Sequence, residues 1–418
     1  MQAQAKTKFK KTPIGEIPED WDVKPLSEVA EYINGYAFSP KDWKDRGLPI
    51  IRIQNLNDPK AEFNYFEGEI DEKYIVKDGD LLFSWSASIG VYIWNRGKAV
   101  LNQHIFKVIP KKGIDKLYLY YAMFLAIEQL KNRIHGSTMK HFKKGELKRT
   151  FIPIPPLPEQ KKIAEILRTV DEAIEKTDEA IERTERLKKG LMRRLLTRGI
   201  GHERFKKTEL GEIPEEWEVV RLEKLLNAIQ DTPHKVPKKS NTGIPFVSVN
   251  YVLQFPDYNF YIDHSRAGIE YISEDNIEFI KKFTPEPGDV IYTKWGTPGI
   301  AKLVNTKDRF VGLCSLALLK PKRSLVYPLF LVYALNSNST RKQIIPHSKT
   351  STRTEIHKKH IKNILLPLPP LEEQKQIAEI ISTVDRRLEL LRQRREKLER
   401  VKRGLMKDLL TGRRRVMT

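Results

Sequence analysis

The sequence is nearly devoid of cysteine. Cys314 is the single one in 418 residues, which excludes a disulfide framework and any cysteine metal cluster and leads us to expect a reducing, cytoplasmic setting. Long apolar runs are missing too. Nothing approaches the roughly 20 apolar residues that a membrane-spanning helix needs. The opening Met1 to Lys6 (MQAQAK) lacks the pattern of a secretory signal, so no membrane role is expected. Acidic charge is in deficit: 75 Lys and Arg face 54 Asp and Glu, leaving a net charge of +21. Such a chain favours a polyanion, most commonly nucleic acid; the plainer reading is a soluble, charged surface.

The usual signatures of catalysis are also lacking. A phosphate loop is absent, since Gly97-Lys98 is followed by Ala99. No G-x-G-x-x-G follows a strand pattern, and the nine histidines are scattered without metal-ligand spacing. Pro155-Pro156 and Pro369-Pro370 lack the polar and aromatic neighbours a DNA aminomethyltransferase needs. The carboxylate-x-Lys triplets Asp42 to Lys44 and Asp71 to Lys73 are frequent by chance in a charged chain. The chain reads as a binding and assembly protein with no catalytic residue, no metal site and no cofactor of its own.

What is present is a long repeat. Residues 151–201 align with 365–415 without a gap, 25 of 51 positions being identical. Repeats of this kind define architecture before anything else does. Each copy opens with prolines (FIPIPPLPEQK and LLPLPPLEEQK) and closes near Gly199 or Gly412. The prolines predict a helix start at about Glu159. Between these limits apolar residues recur at spacings of four and three, the coiled-coil period. In the first copy the seam is Ile163, Leu167, Val170, Ile174, Ile181, Leu191 and Leu195; in the second it is Ile377, Ile381, Val384, Leu388, Leu391, Leu398, Leu405 and Leu409. Thr177, Thr184, Lys188, Arg395 and Lys402 interrupt it. A helix of roughly 40 residues is about 60 Å long and is not stable alone with that stripe exposed. The expectation is that the two helices pack on each other, with the interruptions fixing register or leaving room for a partner.

A second repeat precedes the first. Lys11 to Val23 (KTPIGEIPEDWDV) returns as Lys207 to Val219 (KTELGEIPEEWEV) at offset 196, so Trp21 and Trp217 mark one position in two copies, each expected to plug a domain edge. Residues 25–150 read as mixed α/β with a partly antiparallel sheet: strands at Pro49–Asn55 and Leu81–Ser84, a strand pair or long strand over Ala99–Ile109, and a helix over Leu117–Ile134 broken by Gly136. The second unit follows the same plan, with a strand at Pro245–Asn250 and a turn and strand over Pro287–Tyr292. Trp295 is matched to Trp85 at offset 210, and the segment from His347 to the one around Ser137 at offset 214. The growth from 196 to 214 implies 18 added residues, expected in surface loops. The layout is globular, helix, globular, helix. Antiparallel pairing of the helices would give a pseudo-two-fold axis, which usually mirrors a two-part DNA site.

Candidate DNA-reading residues are polar loop positions next to an aromatic or basic group: Ser84, Trp85 and Ser86 with Lys294, Trp295 and Thr297, then Ser137, Thr138, Lys140 and His141 with Lys349, Ser351, Thr352 and Arg353. Hydroxyls, Lys and Arg suit phosphates, while Asn, Gln and Arg suit base edges; Asn102, Gln103 and His104 belong to the latter class but fall in a strand-like run. The plainer readings are core packing for the tryptophans and helix capping for the Ser/Thr loops.

The duplicated Glu159-Gln160, Ile163 to Ile166 (IAEI), Gly190 to Met192 (GLM) and Leu195 to Thr197 (LLT), with their counterparts from Glu373 and Gly404 and the GEIPxxW segments, resemble type I restriction–modification specificity subunits. The resemblance covers both helices and both domain starts. It implies two α/β (α+β) target recognition domains, 1–150 and 207–364, alternating with long helices in 151–206 and 365–418 that pair as an antiparallel coiled coil. Each domain would read one half of a bipartite, asymmetric site in double-stranded DNA, with the coil setting the spacer. Two modification (methyltransferase) subunits would dock on the scaffold and restriction subunits would join the full complex. S-adenosylmethionine, ATP and magnesium would then belong to those partners. The alternatives are a self-contained enzyme and a coiled-coil adaptor without sequence preference.

Overall fold

The computed structural model describes residues 8–133, 144–235, 237–256, 258–347 and 355–416. The chain forms two compact units: residues up to Lys176 together with those from Arg395 make unit 1, and Thr177–Arg394 make unit 2. Unit 1 is therefore discontinuous in sequence and unit 2 continuous.

The two long helices are Leu157–Arg198 and Leu371–Leu409. The first starts two residues earlier than the prolines predict, because Pro158 sits in the first turn, where its missing N–H is not needed. The residues before each helix are strands: Phe151–Ile154 pairs antiparallel with Asp22–Pro25, and Leu365–Leu368 with Glu218–Arg221. Gly199 and Gly412 close the helices in the left-handed conformation, φ 61° and 69°. A Cβ on Gly199 would strike Trp217 and Glu373, and one on Gly412 would strike Pro18, so glycine is required at both ends for space as well as φ.

Within each unit the two helix segments run antiparallel. In unit 1 Ile163, Ala164 and Leu167 share a core with Met406, Leu409 and Leu410. In unit 2 Leu195 and Leu196 share one with Ile377, Ala378 and Ile381. Every predicted seam residue is buried or half-buried: besides these, Val170, Ile174, Ile181, Leu191, Val384, Leu391, Leu398 and Leu405 are half-buried and Leu388 is buried. The interruptions Thr177 and Thr184 are buried, at 4% and 7% exposure, and Thr184 Oγ1 satisfies itself by donating to the Ala180 carbonyl at 2.6 Å.

Each globular part is two sheets with a helix. In unit 1 the sheet Ala30–Asn34, Ile105–Pro110, Leu81–Ser84, Gly90–Ile93 is antiparallel throughout. A second sheet contains one parallel pair, Leu48–Ile51 with Ala99–Leu101. Leu81–Ser84 buries both faces: Leu81 and Phe83 enter the core shared with the helices, while Leu82 enters the core under the second sheet. Alternation of side chains across a strand makes this division. Unit 2 repeats it with Val290 and Tyr292 on one side and Ile291 on the other. Among the described residues no helix is long and apolar enough to cross a membrane.

Several elements differ from the sequence reading. The strand expected at Pro49–Asn55 stops at Ile51 and turns into the helix Ile53–Asn57, because the Asn55 side chain accepts the Arg52 amide at 3.0 Å. Ser248 ends the matching strand by capping Val249–Val252. Of the two readings of Ala99–Ile109, a strand pair rather than one long strand is found, the two strands lying in different sheets and parted by a turn at 102–104. The residues added in unit 2 are not confined to loops. The offset is 196 at the pair Ile50/Phe246 but 206 at Asn64/Glu270. The insertion carries Asn259–Phe260, which adds a fifth strand beside Ala301–Val304 and buries Phe260 completely.

Candidate nucleic-acid interface

The duplicated motifs form a framework around each unit. Trp21 Nε1 donates to Glu159 Oε2 at 3.0 Å, and Trp217 Nε1 to Glu373 Oε2 at 2.9 Å. Both indoles are wholly buried, so the plug reading holds, and the GEIPxxW and Glu-Gln motifs explain each other. A buried carboxylate also needs a cation. Glu159 finds Arg415 at 2.8 Å, which also clamps Asp20; the half-buried Glu373 instead has the His202 ring nitrogen at 2.9 Å as a hydrogen-bond partner. The neighbouring glutamines tie each long helix to the loop before the helix that leads out of the globular core, the head helix, Lys116–Arg133 in unit 1 and Pro328–Leu335 in unit 2. Gln160 accepts the Asp115 amide at 2.8 Å and Gln374 the Tyr327 amide at 2.8 Å. These polar groups are saturated by structural bonds.

A second framework was missed by sequence reasoning. Tyr121, on the helix Lys116–Arg133, donates to Asp171 at 2.7 Å, and Asp171 pairs with Lys402 at 2.6 Å. Tyr333, on the helix Pro328–Leu335, donates to Asp385 at 2.8 Å, and Asp385 pairs with Lys188 at 2.7 Å. Each triad joins a globular core to both long helices, Lys188 meeting Asp385 and Lys402 meeting Asp171 across the helix pair. Burial, with the carboxylate beside it, pushes both phenols far above their ordinary range. The detectable signal was the identity of Val170-Asp171 and Val384-Asp385 in both copies.

The predicted reading loops lie at the ends of matching strands. Ser84 Oγ donates to the Ser88 carbonyl at 2.5 Å and Thr293 Oγ1 to that of Thr297 at 2.6 Å. Ala87, at φ 54°, and Gly296, at φ 72°, take the left-handed position of the same turn. These correspondences set the offset at 209 and correct the match of Trp295 to Trp85: Lys294 stands where Trp85 does, and Trp295 where Ser86 does. A register shift between Leu226 and Ala228 likewise gives Asp231 the place in unit 2 that Asn34 has in unit 1. In unit 1 Trp85 Nε1 donates to Asn34 at 3.2 Å. In unit 2 Lys294 Nζ bonds Asp231 at 2.9 Å, with Lys358 3.7 Å away. Burial raises the Asp231 carboxyl, but the Lys294 hydrogen bond and the two lysine charges outweigh it, and the net direction is down.

Ser84, Ser86 and Lys294 are buried, so a DNA contact by any of them requires the turn to open. Trp85 and Trp295 are half-buried and Thr297 is exposed. Beside Trp85 stands the turn 102–104, with His104 exposed and its ring 5.4 Å from the indole. Asn102 and Gln103 are half-buried there, and the Gln103 amide donates to the Tyr36 carbonyl at 2.9 Å. Tyr36 is 41% exposed and was not anticipated; an aromatic after the strand Ala30–Asn34 was its signal. Trp295 has His234 at 5.2 Å. Each unit thus carries an aromatic–imidazole pair at the strand ends, a surface suited to stacking and to hydrogen bonds with base edges. Ser137, Thr138, Lys140 and His141, and Lys349, Ser351, Thr352 and Arg353, lie outside the described residues.

The chain matches the family described as type I restriction modification DNA specificity domain at residues 18–183 and again at 214–400. It is 32% identical over 461 residues to a protein of Methanocaldococcus jannaschii provisionally assigned as the MjaX type I restriction enzyme specificity subunit, covering 100% of this chain and 99% of that one. Identity to the MjaVIII specificity subunit of the same organism is 29% over 427 residues, covering 100% and 98%. The fold is similar to the crystal structure of a type I restriction–modification S subunit from M. genitalium, with TM-score 0.58 and 16% identity over 99% of this chain and 100% of that one.

Proposed function

The chain belongs to the type I restriction–modification DNA specificity family, and we propose that its two globular units each read one half of a bipartite, asymmetric site in double-stranded DNA. The observation that carries this reading is the divergence of the strand-end surface on a shared framework. Where unit 1 offers Trp85, His104 and Tyr36, unit 2 offers Trp295, His234 and Thr297, so the two half-sites should differ in sequence. Trp85, Trp295, Tyr36, His104 and Thr297 are the contacts we favour among the described residues. The net charge of +21 supplies a sequence-independent attraction to phosphates that weakens as salt rises.

In this reading the paired helices set the spacer and dock two modification subunits, with restriction subunits joining the larger assembly. The chain itself performs no chemistry; methyl transfer and cleavage, with S-adenosylmethionine, ATP and magnesium, belong to the partners, in the cytoplasm. The 42-residue and 39-residue helices are each about 60 Å long, the same order as half-sites about 34–36 Å apart on one turn of B-DNA. The test is selection from random duplex DNA by the chain with its modification subunits. Two distinct motifs at one fixed spacing are expected; no enrichment, with binding that vanishes as salt rises, would overturn the reading. Deleting 174–180 together with 388–394 spares both Tyr–Asp–Lys triads and is expected to shorten the spacer while leaving each half-site intact.

A further inference from the structure

The same place in the two units is filled in one and open in the other. In unit 1 a residual space of about 40 Å³ lies between the hairpin of Phe9–Thr12 with Gly15–Pro18, the head helix and the end of the C-terminal helix, closed by Leu125 and Ala126. In unit 2 the equivalent space is about 480 Å³, within the range of small-molecule sites. The cause is legible in the chain. The unit 1 helix Lys116–Arg133 runs on through YAMFLAI from Tyr121, whereas unit 2 has YALNSNS from Tyr333. The helix Pro328–Leu335 stops there, and Ser337 caps a new short helix by accepting the Thr340 amide. Apolar Leu125, Ala126 and Ile127 are thereby replaced by Ser337, Asn338 and Ser339.

The cavity has three kinds of wall. Met192, Leu196, Leu210, Ile213 and Pro367 make an apolar floor. Ser337, Asn338 and Ser339 make a hydrogen-bonding side. Lys189, Arg193 and Arg341 stand exposed at the rim, and none has an ion-pair partner among the described residues; Glu185 is the only acid in the lining and already holds Arg392 at 2.8 Å. Three free cations call for more than one negative charge on the ligand. Hydroxyl and amide groups suit sugar hydroxyls or ring heteroatoms, and an apolar floor suits a flat ring.

We propose that this cavity in unit 2 is a binding site for a nucleotide-sized anion, with its phosphates at Lys189, Arg193 and Arg341 and its ring on the apolar floor. Unit 1 has no such site, because its own helix occupies the space. The site is separate from the strand-end surface proposed to read DNA, so its failure leaves that reading untouched.

The experiment is calorimetric titration of the full chain with ADP, and separately with inorganic pyrophosphate, at matched salt. One ADP per chain is expected, bound at least tenfold more tightly than pyrophosphate. Arg341→Glu should weaken ADP at least tenfold. Asn338→Ala combined with Ser339→Ile, which installs the unit 1 residues at those places and keeps the Ser337 cap, should abolish binding while the unfolding midpoint stays or rises. Absence of ADP binding at millimolar concentration would overturn the proposal. So would equal affinity for ADP and pyrophosphate, which would mean that only the basic rim binds, or binding that both variants leave unchanged.

Discussion

Units 1 and 2 are two solutions to one problem. They share three contacts that fasten a globular core to the long helices: the Trp–Glu bond, the Gln bonds to the loop before the helix that carries the triad tyrosine, and the Tyr–Asp–Lys triad. They differ where the surface is free to differ. Trp85 with Asn34 becomes Lys294 with Asp231, a neutral hydrogen bond replaced by an ion pair. A filled seam between helix and hairpin becomes a cavity. The lesson is that duplication separates two kinds of residue within one chain. Positions retained in both copies hold the units in place, and positions that drifted give each unit its own surface.

The largest expected effect tests whether the framework is private to each unit. Trp21→Ala and Trp217→Ala each remove a wholly buried indole and should cost about 3–5 kcal/mol. Hydrogen exchange should show the loss confined to the unit that carries the substitution; equal loss in both would break the comparison. The triads should then rank by burial. Asp385 and Lys188 are 4% and 12% exposed, Asp171 and Lys402 23% and 21%. Denaturant unfolding should find Asp385→Ala costing about 3 kcal/mol, as when a buried pair loses one partner, and Asp171→Ala about 1 kcal/mol, nearer the solvated limit.

Smaller effects separate the strand-end pairs. Lys294→Met removes the nearest partner of Asp231 and leaves it the more distant Lys358, which should destabilise unit 2 by about 1–2 kcal/mol, whereas Trp85→Phe removes a neutral bond worth about 1 kcal/mol. Acid gives the finest test. The Arg415 hydrogen bond holds the Asp20 carboxyl below its ordinary value. A depressed carboxyl contributes stability that is present above the unfolded-state value and lost as pH falls through the folded one. Unit 1 should therefore lose stability below about pH 4, and Arg415→Gln should reduce that dependence in unit 1 without altering unit 2. The same acid sensitivity in the variant would show that Asp20 is not its source.

The sequence made the framework readable because helices and tryptophans announce themselves locally. Proline runs, heptads and Gly199 and Gly412 bound the helices to within a few residues, and GEIPxxW identified the plugs. Asp171 and Asp385 escaped notice because they lie off the two seam rows, and a charged residue on a charged helix gives no sign of burial. Trp295 was misaligned with Trp85 because identical rings invite matching, while the register shift before Ala228 and the turn at Ala87 and Gly296 exist only in the backbone. The helices at Ile53–Asn57 and Val249–Val252 were hidden for a related reason: side chains of Asn55 and Ser248 override apolar patterns that otherwise read as strand.

The discontinuity of unit 1 sets a timetable for synthesis. Thr177–Arg394 leaves the ribosome as one run and holds all the segments of unit 2. Unit 1 is made first but waits for the residues from Arg395, and its Arg415–Glu159 bond closes 256 residues of chain. Closing so long a loop slows folding far more than it weakens the product. The first unit translated is thus the last completed, and Ile163 and Leu167, which Met406 and Leu409 later cover, stay open in the nascent chain until translation passes the second helix.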